Sequence, residues 1–120
     1  MTYVIEDHGE RPLTVNKVAS LHRQAWATHT REHRLLWQLL TRNAKVPPLG
    51  RIRVTVTPLH KDRRSPQDVA ACAPAAKAAI DGLVDHGVIE DDGPEYLLSV
   101  LFLPPDVCGV DGLRLTIEAA

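Results

Sequence analysis

The heptapeptide Arg51-Ile52-Arg53-Val54-Thr55-Val56-Thr57 alternates strictly. In an extended chain, Ile52, Val54 and Val56 point one way and Arg51, Arg53, Thr55 and Thr57 the other. This is the clearest strand in the chain, and the rest can be read outward from it. Upstream, Val46-Pro47-Pro48-Leu49-Gly50 is a turn, because proline cannot continue a helix. Before that turn, residues 17–43 contain neither Gly nor Pro. Leu21, Trp26, His33, Trp37 and Leu40 recur there at helical spacing, with Leu36 and Leu39 widening the stripe. The pattern predicts one long helix with a break near Ala25, made basic by Arg23, Arg31, Arg34 and Arg42, with Trp26 and Trp37 as core anchors. Thr14 and Asn16 are potential caps, residues 8–14 form a loop around Gly9 and Pro12, and Tyr3-Val4-Ile5 is a first or edge strand.

Downstream of the heptapeptide, Lys61-Asp62-Arg63-Arg64-Ser65-Pro66 is a basic loop. An Ala-rich helix runs from about Val69 to Asp85. Pro74 fits best in a first turn, so its regular part starts near Ala73, and Gly87 is the expected stop. Ala76, Ile80, Leu83 and Val84 are its buried stripe. Glu90-Asp91-Asp92-Gly93-Pro94 is an acidic turn. Tyr96 to Leu103 and Leu113 to Ile117 read as strands separated by the Pro104-Pro105 to Asp111 loop. The order β-α-β-α-β-β predicts an α+β fold: a single domain over residues 1–120, with two main helices and a small mixed or antiparallel sheet.

A chain of 120 residues with 44% apolar composition suits one hydrophobic core. No apolar run approaches the roughly 20 residues that span a bilayer, and the N-terminus lacks the pattern of a signal peptide. With Cys72 and Cys108 read as reduced thiols, the expected setting is cytoplasmic, with no membrane partner. The net charge of −1 hides an asymmetry. Residues 1–64 hold twelve Lys/Arg against five Asp/Glu, and residues 65–120 hold two against ten. Such a split suits either a basic surface for a polyanion beside an acidic cluster for a cation, or two solvated faces that neutralise each other.

Two features could carry chemistry. Asp91 and Asp92 lie just past the apolar pair Val88-Ile89 and just before a strand. Carboxylates are preferred ligands of Mg²⁺, although Asp, Gly and Pro are also ordinary turn residues. Lys77 is the only Lys or Arg between Arg64 and Arg114, four residues before Asp81. That spacing suits a simple i,i+4 ion pair or a cation touching a phosphate. His29 and His33, also four apart, could chelate a metal, but no third ligand is near in sequence, which favours a surface or DNA-facing role.

The run Lys77-Ala78-Ala79-Ile80-Asp81-Gly82-Leu83-Val84-Asp85-His86-Gly87-Val88-Ile89-Glu90-Asp91-Asp92 resembles the signature of RusA-type Holliday junction resolvases, common in phages and prophages. A looser likeness extends from about Arg51 to Glu118, and Arg11-Pro12-Leu13-Thr14-Val15-Asn16 is similar to phage members. The resemblance implies a RusA-like homodimeric endodeoxyribonuclease, a hydrolase of DNA recombination and repair that nicks four-way junctions symmetrically with Mg²⁺ or Mn²⁺. It implies metal carboxylates at Asp68, Asp91 and Asp92 and an essential cation at Lys77. Arg51, Arg53, Lys61, Arg63 and Arg64 would bind the DNA backbone, with Arg31 and Arg34 on the same basic surface. The family's Asp-x-Asp-Asn motif is reduced here: Asp68 stands for its first Asp, while Ala70 and Ala71 replace the second Asp and the Asn. Glu90 or Gln67 could compensate. The alternative is therefore a RusA-like protein that binds branched DNA or a protein partner without cutting. A third reading, a small DNA-binding regulator built on the basic helix, is disfavoured by the near-neutral charge.

Overall fold

In a computed structural model, residues 1–64 and 67–120 are described; Ser65 and Pro66, at the end of the expected basic loop, lie outside the described residues. In chain order the elements are β1 (Thr2–His8), α1 (Val15–Ser20), α2 (Arg23–Asn43), β2 (Ile52–His60), α3 (Ala73–His86), β3 (Leu97–Phe102), β4 (Asp106–Val107) and β5 (Gly112–Ala119). The fold class is α+β, as expected. The sheet is mixed, in the order β1-β5-β2-β3, with β5 antiparallel to both neighbours and β3 and β4 each parallel to β2.

The alternation that defines β2 determines where the core lies. Ile52, Val54 and Val56 are buried together with Leu113, Leu115 and Ile117 of β5 and Ile5 of β1. The same cluster contains Trp37 of α2 and Ala75, Ala76, Ala79 and Leu83 of α3. Residues of the opposite phase, Val4, Arg53, Leu101 and Glu118, are exposed, so the sheet is covered on one face. That is how an alternating strand satisfies both of its sides. β2 runs past Thr57 through Pro58, although a proline cannot donate to a ladder. It is tolerated because β3 pairs with β2 only as far as Val56, and β4 joins at Leu59. Pro58 therefore sits in the gap between them.

The expected long helix is broken at Leu21-His22 rather than near Ala25. Both residues are extended, with ψ of 145° and 144°. The Thr14 hydroxyl caps α1 by accepting the Lys17 N–H at 3.1 Å, and the His22 ring caps α2 by accepting the Gln24 N–H at 3.3 Å. At the interruption itself the Leu21 N–H closes α1 on the Val18 carbonyl at 3.1 Å, and the His22 ring supplies the acceptor that starts α2. Trp37 is fully buried, but Trp26 is 41% exposed and is not a core anchor: it lies in the stretch 22–28, all of which is exposed.

α3 begins at Ala73 with Pro74 in its first turn and stops at Gly87, whose φ of 96° is left-handed. It packs closely on α2 at Gly82. A Cβ added there would lie 2.6 Å from the Trp37 Cβ and 2.8 Å from the Arg34 carbonyl oxygen. Glycine is needed at that crossing for lack of space, not for its dihedral freedom.

Candidate functional site

Lys77, Asp81 and Asp85 recur every four residues and therefore share one face of α3. The Lys77 ammonium donates to Asp81 Oδ1 at 3.0 Å and also pairs with Asp92, fifteen residues on. Buried Val88 and Ile89 anchor the chain between α3 and the acidic turn, and the Tyr96 N–H closes that turn by donating to the Gly93 carbonyl at 3.0 Å. Packing of two apolar residues thus brings Asp92 back over the helix to Lys77. Beside them, Arg34 of α2 grips Asp85 with two bonds of 2.5 and 2.7 Å. Cations and carboxylates therefore alternate along the α2–α3 ridge and the turn.

Electrostatics follow from these contacts. The Lys77 ammonium holds the Asp92 carboxyl below the usual carboxylate range, and Asp92 together with Asp81 raises Lys77. Arg34 lowers Asp85 in the same way. Both members of each pair stay charged across neutral pH. Lys77 keeps 60% of its side chain exposed, so its ammonium remains open to solvent beside the two carboxylates.

The other expected site residues are dispersed. Asp91 turns back on its own chain, its Oδ1 accepting the Asp92 N–H at 2.8 Å. Asp68 is exposed in the segment before α3, where its carbonyl accepts the Ala71 N–H at 3.1 Å. Next to it, Ala70 has a φ of 70°, a left-handed conformation that costs an L-residue about 1 kcal/mol. Among the described residues, Asp68, Asp91 and Asp92 do not form a group with ligand oxygens within 4.8 Å of one another. Asp81, which the sequence offered only as a helical partner, is the carboxylate that joins Asp92 at Lys77.

The basic residues do not form one patch. Arg51 and Arg53 flank the start of β2, whereas Lys61, Arg63 and Arg64 follow its end, roughly 30 Å away at strand rise. Arg64 pairs with Asp62 at 2.9 Å. Arg11 braces the same loop, reaching Asp62 at 3.0 Å and Asp111 at 3.1 Å, and Asp111 accepts the Lys61 N–H at 2.8 Å. Arg11 and Asp111 are a hundred residues apart, which is why no local pattern marked them. Among the described residues, Arg51, Arg53, Lys61 and Arg63 form no ion pair. Beside this loop His60 is 2% exposed, and its Nε2 finds no hydrogen-bond partner among the described residues.

Among the described residues, one group of three side chains could hold a metal ion: Glu10, His29 and His33, whose ligand atoms lie within 4.8 Å of one another. Sequence reading missed the third ligand because Glu10 is nineteen and twenty-three residues from the two histidines. The acidic turn offers a different donor set, made only of hard, accessible oxygens. An ion such as Mg²⁺ would take at most one or two of these carboxylates and fill its shell with water and phosphate oxygens. The set does not fit a three-carboxylate cage. Compared with known proteins, the chain matches no family model and no curated protein.

Proposed function

We propose that the chain is a structure-selective endodeoxyribonuclease of the RusA type that acts on four-way DNA junctions as a homodimer. The observation that carries this reading is the convergence of Lys77, Asp81 and Asp92 across fifteen residues of sequence on an exposed ridge. Asp91 and Asp92 are the carboxylates that would hold Mg²⁺ or Mn²⁺, and Asp68 supplies a further acid before the helix. Such an ion supplies an activated water and charge neutralisation at the phosphate. Lys77 contacts a non-bridging phosphate oxygen and stabilises charge developing at the cleaved bond. Asp81 and Asp92 position the Lys77 ammonium before DNA arrives. Arg51, Arg53, Lys61, Arg63 and Arg64 bind backbone phosphates without reading bases, and their separation along β2 suits a branched duplex better than a single groove.

The second reading, branched-DNA binding without cleavage, is favoured by two observations: among the described residues the acids at 68, 91 and 92 are not gathered, and alanines occupy positions 70 and 71. One assay separates the two. A labelled synthetic four-way junction is incubated with protein and Mg²⁺ or Mn²⁺, beside the Asp91→Asn/Asp92→Asn double variant. Paired symmetric nicks that the variant loses support the nuclease. Retained binding without nicks supports the second reading, and neither binding nor nicks contradicts both.

A further inference from the structure

His29 and His33 occupy one face of α2, one helical turn apart, with their rings stacked at a centroid distance of 4.2 Å and an interplanar angle of 19°. Both Nε2 atoms point at the same oxygen, Glu10 Oε1, at 3.2 and 3.0 Å. Glu10 comes from the connection between β1 and α1, so the three donors converge from two separate parts of the chain. Around a tetrahedral zinc-class ion with bonds of about 2.0–2.1 Å, ligand atoms are spaced about 3.3–3.5 Å apart. The two nitrogen–oxygen separations need to open by only a few tenths of an ångström to admit such an ion, and all three ligand atoms already lie within 4.8 Å of one another.

We propose that Glu10, His29 and His33 form a binding site for one zinc-class divalent cation, with a fourth position open to water. The donor set determines the class. Two imidazole nitrogens with one carboxylate suit Zn²⁺, Co²⁺ or Ni²⁺, whereas Mg²⁺ prefers an all-oxygen shell. The surroundings agree with a cation there. Asp7, half-buried on β1, is close enough to interact with both Glu10 and His33, which places a second carboxyl at this corner. The location also gives the ion a role. Residues 22–28 at the start of α2 are exposed, and a cation bridging Glu10 to the following turns would tie that end of the helix to the β1–α1 connection. None of these residues belongs to the Lys77 cluster, so the inference does not depend on the nuclease reading.

The test uses the untagged, metal-free full chain titrated with Co²⁺, read by visible d–d absorption and by metal analysis after dialysis. One Co²⁺ per chain, displaced by Zn²⁺ and accompanied by a higher melting temperature, is expected; Mg²⁺ at equal concentration produces neither change. His33→Ala and Glu10→Gln should each weaken Co²⁺ binding by about tenfold or more, since loss of even an outer-shell partner costs that much. Glu10 is mostly exposed, so its variant reports on the site even if the histidine variant folds poorly. The Co²⁺ band that Zn²⁺ displaces should persist in the Asp91→Asn/Asp92→Asn variant, which removes only all-oxygen ligands. No saturable binding, or binding that survives Glu10→Gln and His33→Ala, overturns the site. Binding lost only in the Asp91/Asp92 variant assigns the ion to the acidic turn and overturns it equally.

Discussion

His60 shows how one side chain couples stability to pH. It is buried at the end of β2, and desolvation, with the Arg11 charge second, pushes its imidazole below the ordinary range. The folded chain therefore keeps His60 neutral where the unfolded chain, with a reference value of about 6.5, takes up a proton. Its contribution is fully present above about pH 6.5 and is lost as pH falls below that value toward the folded one. Urea unfolding of a His60→Gln variant should show a shallower loss of stability between about pH 7 and pH 5 than the parent; an unchanged slope would contradict this assignment. Asp92 acts with the same sign in a lower window. Its carboxyl is depressed by Lys77, so its contribution is present above about pH 4 and lost below it. Lys77 was legible in the sequence because it stands alone on an apolar helix. Glu10 was not, because its link to His29 and His33 exists only once β1 and α2 are folded together.

Among the elements, the α2–α3 crossing is the most sensitive. On helix propensity alone, Gly82→Ala in mid-helix should stabilise the protein by about 0.5–1 kcal/mol. The close approach of Trp37 and the Arg34 carbonyl reverses the sign. A net destabilisation of about 1–3 kcal/mol is expected, the usual cost of overpacking, and Trp37→Ala should cost about 3–5 kcal/mol. Denaturant midpoints measure both; a Gly82→Ala variant more stable than the parent would contradict the crossing. Periodicity and stop signals were enough to read α3 from Ala73 to Gly87 and the core face of β2. They could not locate the break at Leu21-His22, since nothing local distinguishes a ring-capped restart from a continuing helix. Nor did alternation over residues 51–57 reveal that β2 continues through Pro58, which depends on a gap between its neighbours β3 and β4.

At the scale of the whole molecule, the basic first half and acidic second half are partly neutralised by folding. Arg11 and Arg34 of the first half pair with Asp111 and Asp85 of the second across long stretches of sequence. A count of charges by halves shows the imbalance but not which cations are consumed internally. Arg51, Arg53, Lys61 and Arg63 carry exposed charge without an ion pair among the described residues, and phosphate affinity should reside in them. Binding of a fluorescent four-way junction should weaken with salt. Arg51→Ala/Arg53→Ala should lower the slope of log affinity against log salt by about 2, near 0.9 per lost phosphate contact. An unchanged slope would place the junction elsewhere on the surface.

The nuclease reading rests on Lys77, and its most direct test is the single-turnover nicking rate of a labelled four-way junction by Lys77→Gln beside the parent chain, in Mn²⁺, with junction binding measured in parallel. The account predicts nicking by the parent and a loss of about a hundredfold or more in the variant, the scale of removing one donor that stabilises developing charge, while binding stays within a few-fold. Equal nicking rates, or a parent chain that binds the junction and never cuts it, would contradict it.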